Sequence, residues 1–221
     1  MVKVYIADTL PLTDTHLYRH LYESADAKRR FKADRFLFQK DKMLSIGAWT
    51  LLCYALKEEG ILEFSIENRQ NNKPYLAGLS DLYFNLSHSG HMVMCAIADN
   101  EVGCDVEEKT SFDSSLAEAV MTKEELHLIY QKKEYAEQME MFFRLWTLKE
   151  SYMKATGLGM ELAPHTFGIS LDSRGISLCR QKDEKKYSFK EYHLDNGYCY
   201  SCCALKNKIS EHLLNVDLSS L

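Results

Sequence analysis

Proline is scarce in this chain, with 3 in 221 residues, and tryptophan scarcer still, with 2. Few prolines and no low-complexity tract leave little room for a disordered linker. No apolar run approaches the roughly 20 residues that cross a bilayer, so no membrane span is expected. The start, "MVKVYIADTLPL", lacks a basic segment followed by a long apolar core, which argues against a secretory signal. There is no basic excess either. A net charge of −5 argues against a general nucleic-acid binder. Paired cysteine spacing is also missing: the 7 cysteines are odd in number and scattered. Cys199 and Cys202 form one C-x-x-C, but it has no partner motif and opens no helix, so reduced core thiols are the default over a redox or zinc site. Together these absences point to a cytoplasmic protein.

What remains is ample for a folded core: 46% of residues are hydrophobic and 27% charged. "VKVYIAD" alternates like a strand. Residues 28–60 read as one or two helices ending at Gly60, and 114–156 as helical, with Thr122 and Glu125 as a capping box and Gly157 as a stop. Strands and turns fill 62–108, and two hairpins are expected, around Ser173-Arg174-Gly175 and around Asn196-Gly197. "SHSGHMVMCAIADN" and "LDNGYCYSCCALKN" share a turn, a glycine and a Cys-bearing strand. Gly90 and Gly197 lie 107 positions apart, near half the chain. The pattern suits a duplicated α+β unit with a site in the cleft between halves.

Several stretches carry chemistry. In "EVGCDVEE", a strand would bury Val102, Cys104 and Val106 and put Gly103, Asp105 and Glu107 on the other face. Two carboxylates beside a glycine make a compact oxygen pair with open space next to it, suited to Mg²⁺. The plain alternative is an edge strand with solvated acids. The helix "FFRLWTLKESYMKATG" gathers Phe142, Leu145, Trp146, Leu148, Tyr152 and Met153 on one face, yet carries Lys149, Glu150 and Lys154 on or beside it. Buried charge is costly unless paired or ion-bound. Glu150 is thus a third candidate ligand, against the alternative of an exposed Glu-Lys pair. Lys73 beside Pro74, and Ser87-His88-Ser89-Gly90 read as a turn, could hold a phosphate through lysine, hydroxyls, imidazole and backbone N–H groups. An ordinary hairpin turn is the alternative. The basic run Lys28, Arg29, Arg30, Lys32 and Arg35 is either a solvated face or a patch for a polyanion or acidic partner.

These pieces in this order resemble the surfactin-type (Sfp-type) 4′-phosphopantetheinyl transferases. The shared pattern stands here as Asn72-Lys73-Pro74, Phe84-Asn85-Leu86-Ser87-His88-Ser89-Gly90, Gly103-Cys104-Asp105-Val106-Glu107, and Trp146 through Lys149-Glu150 to Lys154. The resemblance implies an α+β fold made of a pseudo-twofold pair of similar halves, divided here as 1–103 and 104–221, with coenzyme A in the cleft between them. It implies transfer of the 4′-phosphopantetheine arm of coenzyme A to a serine of an apo acyl or peptidyl carrier protein, releasing 3′,5′-ADP. Asp105, Glu107 and Glu150 match the magnesium ligands, with Mn²⁺ as an alternative metal. Lys73, Ser87, His88, Asp105 and Lys154 match cofactor contacts, with the 3′-phosphate near His88, and Lys28 and Lys32 add to its clamp. Glu150 is then the general base and Lys154 the group that stabilises the leaving 3′,5′-ADP. Lys149 is expected to be a structural cation paired to a carboxylate near the metal. A monomer with no nucleic-acid or membrane partner is expected. Carrier docking is expected on the helix bearing Met121, Leu126, Leu128 and Ile129 with Lys123, Lys132 and Lys133. The rival readings are a non-catalytic coenzyme A or nucleotide-binding module and a magnesium-dependent hydrolase of nucleotide diphosphates. Nothing in the sequence says whether a fatty acid, polyketide or nonribosomal peptide pathway is served.

Overall fold

The computed structural model describes residues 1–179 and 186–221. Arg180, the last residue of the first expected hairpin, lies outside them. The chain runs β1 (Lys3–Asp8), α1 (Thr15–Ser24), α2 (Ala27–Asp34), α3 (Gln39–Glu58), a short hairpin of β2 (Ile66–Asn68) and β3 (Pro74–Leu76), and a longer one of β4 (Tyr83–Ser89) and β5 (Met92–Ala98). The second half follows with β6 (Val102–Glu108), α4 (Ser114–Val120), α5 (Lys123–Tyr130), α6 (Tyr135–Thr156), the hairpin β7 (Gly168–Asp172) and β8 (Gly175–Cys179), then β9 (Tyr187–Tyr192) and β10 (Tyr198–Leu205), with β11 (Leu214–Asn215) closing the chain. Each half is therefore strand, helices, short hairpin, long hairpin. One sheet is ordered β11-β1-β5-β4 and the other β6-β10-β9, so the first strand of each half pairs with the last strand of its own long hairpin. Gly90 and Gly197 turn the two long hairpins with positive φ of 59° and 83°. The fold is α+β and internally duplicated.

β5 and β10 explain why their sequences do not alternate. Every residue of both strands is buried. Val93, Cys95 and Ile97 pack on the α3 side, while Met92, Met94 and Ala96 meet Val102, Cys104, Val106, Tyr200 and Cys202 of the other sheet. A strand covered on both faces has no use for polar residues. The order of layers is helices, sheet, sheet, helix. In β10, Cys199 faces α6 and Cys202 faces the first sheet, on opposite sides of the strand, so this C-x-x-C cannot chelate or pair.

The capping box at Thr122–Glu125 and the Gly157 stop, with φ of 72°, are both present. Two features were not anticipated. Helix α1 is capped by Asp14, whose carboxylate accepts from His16 N and Leu17 N at 2.7 and 3.2 Å. The C-terminal tail, "SEHLLNVDLSSL", returns to the first half: β11 pairs parallel with β1, and Val216 and Leu218 enter the α3 core. A division after residue 103 falls inside β6, because the turn that separates the halves precedes Val102.

Candidate active site

Gly103 sets the distance between β6 and α6. A Cβ there would lie 2.1 Å from the Ser151 carbonyl oxygen and 2.4 Å from Ala155 N. The space beside the carboxylates is therefore not open, as expected from sequence, but filled by the backbone of α6. That contact brings the acids of β6 against Glu150 and Lys154, which sit one turn apart. Asp105 is 2% exposed. Its Oδ1 accepts from Lys154 Nζ at 2.6 Å and from Ser87 Oγ at 2.7 Å, and Lys154 Nζ also donates to Ser87 Oγ at 2.9 Å. Glu107 accepts from Ser89 Oγ at 2.7 Å and from Trp146 Nε1 at 3.4 Å. Burial, and then the neighbouring Asp105, push the carboxyls of Glu107 and Glu150 above the usual range. Burial pulls Lys154 down, but Asp105 more than restores its charge, so its ammonium holds its proton more tightly than usual.

Three carboxylates thus face one ammonium. Asp105 Oδ2 is buried without a hydrogen-bond partner, an orphan oxygen that a hard cation would satisfy. The donor set fits magnesium. Among the described residues no three His, Cys, Asp or Glu side chains form a ready-made metal cage. Lys154 supplies the positive charge at Asp105, and Ser89 and Trp146 hold Glu107.

Strand β4 reaches this cluster through alternation. The "FNLSHSG" stretch, read from sequence as a turn at Ser87–Gly90, is strand through Ser89. Hydroxyls and imidazole therefore point to opposite faces. On one face, Asn85 Oδ1 accepts from Cys104 N at 2.8 Å, Ser87 Oγ from Val106 N at 3.4 Å, and Ser89 Oγ from Glu108 N at 3.1 Å. A row of side chains satisfies alternate amides of β6 and stitches the two sheets where no main-chain ladder forms. Ser87, expected at the phosphoadenosine, is placed in the acid cluster. Asn85 has no role in the sequence reading, and Ser89 stands there as a hydroxyl of a phosphate-holding turn; the spacing of Asn85, Ser87 and Ser89 two apart on a strand was the available signal.

On the other face, Phe84, Leu86 and His88 line a cavity of about 860 Å³. Lys28, Arg29 and Lys32 of α2 and Trp49 of α3 complete its wall. The Arg29 guanidinium stacks over Trp49 at 4.8 Å. Burial lowers the pKa of His88, followed by the positive charges of Lys154 and Lys32. Burial likewise lowers Arg29 and Lys32. Cations crowded and partly desolvated in one pocket form a seat for a multiply charged anion. Arg29 belongs to this wall as much as Lys28 and Lys32 do.

Lys73 is placed elsewhere. Its ammonium donates to the carbonyls of Ala155 at 2.8 Å and Val102 at 3.3 Å, and burial pulls its pKa to about 8. Asn71 Nδ2 donates to the Gly157 carbonyl beside it. Together they cap the C-terminus of α6 from the opposite half, while Asn72 and Pro74 line the large cavity.

Lys149 is a structural cation, but its partner is not a carboxylate of the acid cluster. It is wholly buried, 2.8 Å from Glu125 Oε2, and donates to the carbonyls of Pro164 and Phe167 at 2.9 and 2.7 Å. Glu125 is the capping-box residue of α5, accepting from Thr122 N and Ile169 N at 2.7 Å. Of the residues expected to dock the carrier, Ile129 on α5 and Met121 just before it lie in the core with Phe142 and Leu148.

A clamp of cations beside a carboxylate cluster, built at the junction of duplicated halves, defines a phosphoryl-transfer type of site. Residues 101–203 match the model of the 4′-phosphopantetheinyl transferase superfamily. The chain is 30% identical to 4′-phosphopantetheinyl transferase gsp of Aneurinibacillus migulanus over 89% of this chain and 83% of that one. It is 30% identical to 4′-phosphopantetheinyl transferase psf-1 of Bacillus pumilus, over 96% and 94% respectively. A holo-(acyl-carrier-protein) synthase structure from Bacillus anthracis, in complex with coenzyme A (3′,5′-ADP), overlays with a TM-score of 0.42 at 22% identity, covering 48% of this chain and 94% of that one. This chain belongs to the 4′-phosphopantetheinyl transferase superfamily, and its activity is phosphopantetheinyl transfer.

Proposed function

We propose that the chain takes 4′-phosphopantetheine from coenzyme A and places it on a serine of an apo acyl or peptidyl carrier protein, releasing 3′,5′-ADP, with magnesium or manganese as the working metal. The observation that carries this reading is the adjacency of two opposite sites. The cavity wall with Lys28, Arg29, Lys32 and His88 backs onto the same strand whose other face meets Asp105 and Lys154. One wall holds the phosphoadenosine; the other reaches the pyrophosphate.

In this reading the serine Oγ forms a bond to the phosphorus that bears pantetheine, and the pyrophosphate P–O bond to 3′,5′-ADP breaks. Glu150, whose proton affinity is raised by burial, accepts the serine proton. Lys154, held charged by Asp105, neutralises the phosphate oxygen that departs with 3′,5′-ADP. Asp105, Glu107 and Glu150 would hold the metal, which when bound supplies charge neutralisation on the pyrophosphate. Ser87 and Ser89 orient Asp105 and Glu107, and Lys73 and Asn71 fix the end of α6.

We also read the chain as two halves meeting at the turn before Val102, with the tail beyond Ile209 serving the first. Both walls of the site come from one chain, which supports a monomer. Seven free thiols support a reducing, cytoplasmic setting. Among the described residues no helix is long and apolar enough to cross a membrane. The test is incubation with coenzyme A, Mg²⁺ and a panel of apo carriers, reading carrier mass. Gain of the phosphopantetheine mass by a carrier is expected. Release of free phosphopantetheine with no carrier modified would instead indicate a hydrolase, and binding without turnover a non-catalytic module.

A further inference from the structure

Strand β10, "YCYSCCAL", is buried at every position, yet it carries a serine among its cysteines and aromatics. Ser201 is 0% exposed, and its Oγ has no hydrogen-bond partner. An unsatisfied hydroxyl in a protein interior is costly and uncommon. Cys199 and Cys203 flank Ser201 in alternation and pack on the α6 side, so Ser201 faces α6 as well. In the register of the sheet it stands opposite Asp105 on β6 and opposite Glu191 on β9. The two acids differ in what they lack. Both Glu191 oxygens accept from Arg144, each at 2.9 Å. Asp105 has Oδ1 filled by Lys154 and Ser87, while its Oδ2 is buried without a partner. Two orphan polar atoms thus belong to directly opposed residues of neighbouring strands.

We propose that Ser201 is a positioning residue for Asp105: its Oγ–H turns onto Oδ2 and holds the carboxylate from β10, as Ser87 holds it from β4. The strand pairing favours this. The amides of Cys104, Val106 and Glu108 point to the side chains of β4. The alternate amide of Asp105 therefore points to β10, which makes Asp105 and Ser201 a hydrogen-bonded pair with Cα atoms about 5.5 Å apart. Side chains opposed at that spacing on one face interact, and a rotation about the serine χ1 brings the hydroxyl to the carboxylate. With both oxygens held, the carboxylate cannot swing wholly onto Lys154. A carboxylate oxygen accepts more than once, so Oδ2 keeps a lone pair for a cation shared with Glu107 and Glu150. Hydrogen bonds to a ligating carboxylate fix its direction, and losing one typically costs about ten- to a hundred-fold in metal affinity. The consequence for the metal rests on the reading of Asp105 as a ligand given above; the hydrogen bond itself does not.

The test has two arms. In the first, urea midpoints of metal-free wild type, Ser201→Ala, Asp105→Ala and the double variant close a mutant cycle. Ser201→Ala should lower the midpoint in the wild-type background and leave it unchanged or raised where Asp105 is already alanine. Additive midpoints overturn the proposal, since the hydroxyl then has no dealings with Asp105. In the second arm, Mn²⁺ is titrated into protein with coenzyme A and no carrier, and binding is read by electron paramagnetic resonance. Ser201→Ala should weaken Mn²⁺ by about ten-fold or more. The KM for Mg²⁺ should rise by a similar factor, with the KM for coenzyme A and the circular dichroism spectrum unchanged. Coupled midpoints with unchanged Mn²⁺ affinity overturn the positioning role and leave a bond that serves the fold alone. If the wild type binds no Mn²⁺, the metal reading fails, and the mutant cycle by itself decides whether Ser201 holds Asp105.

Discussion

The Lys73 ammonium, from the hairpin turn of the first half, donates to the Ala155 carbonyl at the end of α6 in the second half at 2.8 Å. It also holds the Val102 carbonyl at 3.3 Å, where the acid-bearing β6 begins. One side chain thus ties together the two elements that carry Asp105, Glu150 and Lys154. Lys73→Met would leave both carbonyls without that donor, at about 1–3 kcal/mol for an unsatisfied buried group. Tm and kcat should fall together while the KM for coenzyme A moves by less than about two-fold. A large rise in that KM alone would mean that Lys73 contacts the ligand instead.

The acid cluster makes a sharper demand. Asp105→Ala and Glu150→Gln should each reduce transfer to near background with the circular dichroism spectrum preserved. Glu108→Ala should cost little activity. Its amide, not its carboxylate, is what Ser89 binds, at 3.1 Å. Full activity in Glu150→Gln would remove that residue from the proton-transfer role.

Ligand selection should follow the cavity wall. With His88, Lys28, Arg29 and Lys32 gathered there, coenzyme A should be preferred over 3′-dephospho-coenzyme A. A charge-assisted contact is worth about 1.5–3 kcal/mol, so His88→Ala should narrow the preference roughly ten- to a hundred-fold. An identical preference in wild type and variant would place the 3′-phosphate away from His88.

The Lys149–Glu125 pair has no solvent to share its charge, since both side chains are within 1% of full burial. Removing one partner strands the other, at about 3–5 kcal/mol. Glu125→Gln should lower the urea midpoint strongly, through loss of the Lys149 charge partner and of the α5 cap together. Thr122→Ala, which removes only the cap hydroxyl, should cost about 1 kcal/mol. Equal losses in the two variants would show that the ion pair adds nothing.

Alkaline pH should unfold the protein through its thiols. Burial pushes Cys53 up to about 11 and Cys199 to about 12, and Cys95, Cys202 and Cys203 well above the ordinary 9.0. Above pH 9 the unfolded thiols ionise while the folded ones keep their protons. The folded state then binds more protons, so stability falls as pH rises, by about 1.4 kcal/mol per pH unit for each thiol. Cys104, pushed up to about 12, adds to them, while Lys73, lowered to about 8, and Lys32 and Lys149, also lowered by burial, act in the opposite direction but are outnumbered by the six thiols. Urea midpoints under reductant should drop steeply between pH 9 and 10, and Cys202→Ala should soften the slope. A flat profile to pH 10 would contradict the burial of these thiols.

Local periodicity determined much of this protein. Alternation alone puts Asp105 and Glu107 on one face of β6, and a spacing of four puts Glu150 and Lys154 on one side of α6. The Thr122–Glu125 box and the Gly157 stop are likewise chemistry of adjacent residues, settled within a few positions of the chain. The near-repeat around Gly90 and Gly197 gave away the duplication. What the sequence left undecided was every partner far along the chain. Whether Ser87 faces the cavity or the acids depends on whether residues 87–89 are turn or strand, and pairing with β5 makes them strand. Lys73 reaches the end of α6 because two carbonyls from elements 29 and 82 positions away lie within its reach. Lys149 finds Glu125, and Gly103 meets the backbone of α6, only once helix and sheet have packed. Propensity and period act over a few residues, whereas buried charge and orphan carbonyls are satisfied by whatever the packed fold brings within about 3 Å.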